Sequence, residues 1–188
     1  MKHVILLTCC FFLLVVTAHA GTMVKMKTNV GTITIELNDE KAPISVDNFL
    51  QYVDSGFYDG TIFHRIIRNF MIQGGGFDKH EQRRETREPI KNEADNGLKN
   101  DKGTIAMART GVVDSATSQF FINLVDNNAL NHRGRSARDY GYAVFGRVID
   151  GMDVVEKIGR TKTIAKSVLF RDYPEPQVII ESVRRADK

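Results

Sequence analysis

The chain has no tryptophan, and its two cysteines, Cys9 and Cys10, both fall within the first ten residues. The segment around them reads as an export signal. Lys2 and His3 precede an apolar run from Val4 to Val16, and Ala18-His19-Ala20 offers small residues where a signal peptidase inspects the chain. Cleavage before Gly21 leaves a mature protein without thiols, which excludes disulfides and cysteine-ligated metals. A retained anchor is the competing reading, but Val4–Val16 is shorter than the ~20 apolar residues that span a bilayer. A lipoprotein signal ending at Cys9 would have only Val4–Leu7 as its apolar core. The expected location is the periplasm, with secretion as second choice and no membrane attachment after cleavage.

A strong excess of one charge is also missing. Losing residues 1–20 removes Lys2 and no acid, so 25 basic against 23 acidic side chains leave a formal +2, which does not call for nucleic acid. Prolines number only four, and no Pro/Ser/Gly linker or repeat divides residues 21–188, so one domain and a monomer are expected. Lys79–Glu88 interleaves Arg83, Arg84 and Arg87 with Glu81, Glu85 and Glu88 and reads as a solvated loop. Metal chemistry has no paired-ligand spacing, because His64, His80 and His132 lie on unrelated segments. Gly74-Gly75-Gly76 is not followed by the Lys-Ser/Thr of a phosphate loop, and Ser118 lacks the flanking glycines of a nucleophile elbow. No cofactor is expected.

What remains is a β-rich pattern. Met23–Thr28 and Thr32–Leu37 flank Asn29-Val30-Gly31 as a hairpin at an N-terminal edge. Val46, Phe49, Leu50 and Val53 behind Pro43 have helical spacing, and Gly56 stops that helix. Thr61–Ile67, Phe70–Gln73, Gly103–Ala108, Gln119–Val125, Tyr142–Val148 and Val178–Val183 read as further strands, and Met152–Ile158 as a second helix. A long polar segment, Gly74–Lys102, has no period. About eight short strands against two helices must hide their edges, and a closed barrel capped by two helices is the expected mainly-β fold.

Phe63 to Gly76 stands out because it mixes a cation, large apolar side chains and an amide before three glycines. Strand alternation puts Phe63, Arg65 and Ile67 on one face and Ile62, His64 and Ile66 on the other. Taken alone, Arg65 reads as an arginine snorkelling over an apolar patch, and His64 as a core or supporting group. One reaction, however, needs only an arginine beside exposed apolar groups. Peptide-bond rotation faces ~18–20 kcal/mol because amide resonance must be lost, while the X–Pro isomers lie within ~0.5–1 kcal/mol of each other. A catalyst need only grip the proline ring, hold a flanking carbonyl and donate a hydrogen bond to the proline nitrogen. A guanidinium can supply that bond while staying charged.

Phe63-His64-Arg65-Ile66-Ile67, Phe70-Met71-Ile72-Gln73-Gly74-Gly75, Ile105-Ala106-Met107-Ala108-Arg109-Thr110, Ser118-Gln119-Phe120-Phe121-Ile122 and Val144-Phe145-Gly146 before Gly151-Met152 resemble the cyclophilins in order and spacing. The resemblance spans Gly21–Val183. It implies peptidyl-prolyl cis–trans isomerase activity on unfolded or flexible proline-containing polypeptides, in an eight-stranded antiparallel barrel with the site on its outer surface. It makes Arg65 the catalytic arginine and places Phe70, Met71, Phe121 and Leu130 around the proline. Gln73 would hold the substrate backbone and Arg65; Gln119 and the backbone at Ala108, Arg109 and Thr110 would border residues preceding the proline; Tyr142 would stand where many eukaryotic members have histidine. Those members also carry asparagine at Arg109 and tryptophan near Ala129. Arg109-Thr110, Asn92-Glu93-Ala94 and Phe121–Asn127 instead resemble the bacterial branch, and the missing tryptophan implies weak cyclosporin binding. Folding assistance to exported proteins is the expected role. A non-catalytic holdase using the same groove, and a nuclease or hydrolase recognisable by dependence on a divalent metal, are the alternatives.

Overall fold

The computed structural model describes residues 21–186, so the expected signal peptide lies outside the described residues. In chain order the elements are β1 (Met23–Thr28), β2 (Thr32–Leu37), α1 (Pro43–Asp54), β3 (Thr61–Ile67), β4 (Met71–Asp78), β5 (Thr104–Met107), β6 (Phe120–Asn123), β7 (Val144–Asp150), α2 (Met152–Gly159), β8 (Thr163–Ile164), β9 (Tyr173–Pro174) and β10 (Val178–Ala186). Eight strands close into an antiparallel barrel in the order β1-β10-β3-β4-β6-β5-β7-β2. The mainly-β, two-helix expectation holds. The N-terminal hairpin, however, is no edge, because β1 pairs with β2 on one side and with β10 on the other. The β8–β9 pair was not legible, being only two residues a side.

Inward side chains make one core that the helices complete. Ile33, Ile35, Ile105, Met107, Phe120, Ile122 and Phe145 meet Val46, Phe49 and Val53 of α1 and Val155 and Ile158 of α2. The Phe49 ring contacts those of Tyr58, Phe120 and Phe145 at centroid distances of 5.2, 5.7 and 5.2 Å. Each such ring buries roughly 150–250 Å² and adds a favourable ring–ring contact to this core.

Two register shifts in β3–β4 correct the expected strand geometry. Phe63 opposes Gly74, yet Arg65 opposes Gln73, so β3 carries one residue too many at His64. This bulge reverses the alternation. Phe63 and Ile66 both enter the core, while Arg65 points outward, opposite to the shared face expected for Phe63 and Arg65. Phe63 therefore packs the core and does not share the outer wall. The second shift lets β4 run on through Gly74-Gly75-Gly76 to Asp78, where a loop was expected. Gly75 has φ +80°, and a Cβ there would lie 2.8 Å from the Tyr58 ring and 2.9 Å from Phe120. A side chain on Gly76 would sit 2.6 Å from Gln119. The glycines let the strand pass beneath packed side chains rather than ending it.

The aperiodic segment after β4 is held by polar groups. α1 begins at Pro43 with no cap from its own neighbours. Instead the Glu93 carboxylate accepts from the Ile44 N–H at 3.0 Å, the Ser45 N–H at 2.7 Å and the Ser45 hydroxyl at 2.7 Å. A carboxylate at a helix start satisfies orphan donors and meets the positive end of the helix dipole. Arg84, within the stretch expected to be solvated, is half-buried and donates to the carbonyls of Phe57 and Asp59. Replacing Glu93 by alanine leaves two helix N–H groups and the buried Ser45 hydroxyl without partners. Glu93→Ala is expected to lose ~1–3 kcal/mol in urea unfolding with little change in m-value, and Glu93→Gln less.

Candidate active site

Alternation along β4, β5, β6 and β7 sends a second set of apolar side chains outward. Met71, Ala106, Phe121 and Val144 form a buried cluster outside the barrel, with Ile67, Phe70, Leu98, Ala108, Leu130 and Tyr142 packed on it. Because β6 is buried on both faces, Phe120-Phe121-Ile122 reads as an unbroken apolar run. The Phe121 ring is only 4% exposed and meets Tyr142 edge-on at 5.6 Å.

This cluster floors a groove of about 320 Å³. Phe70, Met71, Phe121, Leu130 and Tyr142 line its apolar part, and Arg65, Gln73, Ala108, Arg109 and Gln119 complete the wall. Of the residues singled out in the sequence, Thr110 alone stands apart. Its hydroxyl and N–H bond Ser115 at 2.8 and 3.0 Å, and it lines a neighbouring depression with Gly111, Ala137 and Arg138. His64, read from the sequence as a core or supporting group, and Arg83, read as part of a solvated loop, also line the groove, as do Phe77 and Leu169, which the sequence reading did not single out. Phe77 and Arg83 face each other in an isolated bridge outside any periodic run, and Leu169 sits on an irregular exposed loop, so no local pattern pointed to them.

The polar groups are held by few bonds. Gln73 Nε2 donates to Gln119 Oε1 at 3.0 Å, and Gln119 itself lies across Gly76. Arg65 is exposed; its Nε donates to Asp172 Oδ2 at 3.3 Å, and its terminal nitrogens bond nothing else among the described residues. Asp172 is 107 residues away, so nothing near Arg65 announces it. Arg109 is fixed by the carbonyls of Gly141, Thr110 and Ala137 at 2.9, 3.0 and 2.8 Å, with its guanidinium 4.8 Å from the Tyr142 ring centre. It braces the loops at the groove's rim.

His64 occupies the bulge, pressed against Phe77 at a centroid distance of 4.8 Å. Burial, reinforced by the adjacent Arg65 charge, pushes its pKa from 6.5 down to about 4. Its Nδ1 has no partner among the described residues. The ring is therefore neutral near pH 7, which suits a packed group beside a cation rather than a proton donor. A second cavity of similar size lies near Glu36, Leu37, Lys99 and Arg147, but there Arg147 is matched by Glu36 at 2.8 Å. Of these two, the first groove joins an apolar floor to an arginine whose terminal donors have no partner among the described residues.

The family model described as cyclophilin type peptidyl-prolyl cis-trans isomerase/CLD matches residues 23–185. A peptidyl-prolyl cis-trans isomerase of Acinetobacter baylyi is 57% identical over 173 residues, covering 91% of this chain and 90% of that protein. Peptidyl-prolyl cis-trans isomerase B of Escherichia coli is 56% identical over 161 residues, covering 86% and 98%. The crystal structure of a Cryptosporidium parvum cyclophilin type isomerase, obtained in the presence of the dipeptide Ala-Pro, superposes with a TM-score of 0.72 at 28% identity, covering 88% of this chain and 99% of that one.

The depressed His64 pKa has a sign that can be checked. The unfolded chain takes up a proton as pH falls below about 6.5, while the folded chain resists uptake until about 4. His64 thus contributes stability above pH 6.5 that is lost progressively towards pH 4, by roughly 3 kcal/mol. Urea midpoints measured across this window should fall for the unaltered protein and fall less steeply for His64→Gln. Parallel profiles would refute the assignment.

Proposed function

Because the chain belongs to the cyclophilin-type peptidyl-prolyl cis–trans isomerases, we propose that the groove on its outer barrel wall is the active site and that Arg65 is its catalytic residue. The supporting observation is one guanidinium, tethered only through Nε, beside an apolar floor of Met71 and Phe121. The proline ring packs on Phe70, Met71, Phe121 and Leu130, with Tyr142 closing the wall. Gln73 and Gln119, already bonded to each other, hold the backbone next to the proline, and Ala108 and the Arg109 rim border the preceding residues. The neighbouring Thr110 depression would receive chain further out.

The chemistry requires only differential binding. As the X–Pro bond twists, amide resonance is lost and the proline nitrogen becomes a hydrogen-bond acceptor. A terminal N–H of Arg65 donates to that lone pair in the twisted state and has no such acceptor in the planar ground state. Asp172 holds Nε, so the remaining donors are aimed without reorganisation. The proton need not leave arginine, and the neutral His64 adds none.

The clients are unfolded or flexible proline-containing polypeptides exported with the protein. The apolar run Val4–Val16 followed by Ala18-His19-Ala20 supports cleavage before Gly21 and a periplasmic, monomeric mature protein. The absence of tryptophan supports weak cyclosporin binding.

In exchange NMR or a protease-coupled assay on a short Ala-Pro peptide, Arg65→Ala should lower kcat/KM by roughly 10²-fold or more while peptide binding is largely kept. Unchanged turnover would overturn the catalytic role, and binding without turnover in the unaltered protein would favour a holdase. Cyclosporin titration should give no nanomolar complex. Mass spectrometry of the exported protein should find Gly21 as its first residue.

A further inference from the structure

We propose that the groove selects client segments carrying an acidic side chain on the amino-terminal side of the proline, with Arg83 as the residue that reads it. The proposal rests on the groove being the isomerase site. Three arginines, Arg65, Arg83 and Arg109, line that groove, and among the described residues no aspartate or glutamate does. The adjoining depression repeats the pattern with Arg109 and Arg138. This is a local concentration, since the whole chain has a formal net charge of only +3.

The three cations are not equivalent. Arg65 has Asp172 as its partner, and Arg109 spends its donors on three backbone carbonyls. Arg83 is exposed and forms no ion pair or side-chain hydrogen bond among the described residues. Its guanidinium rests 5.6 Å from the centre of the Phe77 ring, which positions the charge without neutralising it. The neutral His64 beneath Phe77 adds no competing charge near pH 7.

The direction rests on the proposed function, in which Gln119 and the Arg109 rim border the residues preceding the proline; position along the groove then brings those residues towards Arg83. β4 runs from Met71, on the apolar floor, past Gln73 and Gly76 to Phe77, which bridges Arg83. Gln119 lies across Gly76, whose neighbour Phe77 carries the Arg83 guanidinium over its ring. A chain leaving the proline pocket over Gln73 and Gln119 therefore approaches Arg83 after roughly two to four residues at ~3.3 Å each. A carboxylate there meets an unpaired guanidinium, whereas a lysine meets three like charges. Such pairing at a solvated rim is modest in strength and screened by salt.

The test uses three otherwise identical peptides with Glu, Ala or Lys at the second to fourth positions before the proline, and a fourth with Glu after it. At about 0.01 M salt, kcat/KM for the preceding-Glu peptide should exceed that for the Lys peptide by about five- to tenfold, and the two should converge by about 1 M. Arg83→Glu should abolish or invert the order; Arg83→Gln should weaken it. Equal values for Glu and Lys at low salt, a larger gain from Glu placed after the proline, or a preference that survives Arg83→Glu would each overturn the proposal. The Ala peptide tests the isomerase reading separately. If it is not turned over, the same ranking measured as equilibrium binding decides the charge selectivity alone.

Discussion

One extra residue in β3 decides which face Arg65 occupies. Without the bulge at His64, alternation from the buried Phe63 would carry Arg65 into the aromatic core, where an unpaired guanidinium is not tolerated. With it, Phe63 and Ile66 fill the barrel, Ile67 and Met71 build the outer floor, and Arg65 stands opposite Gln73 on the wall. The same irregularity buries the His64 ring and keeps it uncharged. Barrel packing and groove chemistry are thus two outcomes of one register.

The glycine run is the complementary device. β4 must pair with β3 and β6 while slipping under Tyr58, Phe120 and Gln119, and only residues without a Cβ leave those side chains in place. In this way Gln119 is laid over the strand within reach of Gln73. Arg65, Gln73 and the Met71–Phe121 floor stand on paired strands, with loops supplying the rim, which suits a reaction whose catalyst must fit a twisted geometry more closely than a planar one.

Strand positions and both helices were legible because their apolar residues recur at the spacings of two and of three to four that burial on one face demands. Most of the groove was legible too, but through motif resemblance rather than periodicity. Alternation alone misplaced Phe63, since a bulge adds a residue without leaving a compositional mark. The glycines suggested an end to β4 because their use depends on what lies above them. The parts played by Asp172, Glu93 and Arg83 were not legible for a common reason: each matters through a partner or neighbour brought near by the barrel, at separations that no local window spans.

Barrel closure has a further consequence for the order in which this molecule can form. β1 lies between β2 and β10, and its register pairs Met23 with Ala186, so β1 waits for the barrel strand furthest from it in chain order. Until β10 is free to dock, β1 and β3 each lack a neighbour and the ring stays open. Such extreme sequence separation makes closure a late, slow event compared with forming the β1–β2 hairpin. A chain in which β10 is held away from β1 therefore keeps an open ring, with an unpaired strand edge on each of β1 and β3.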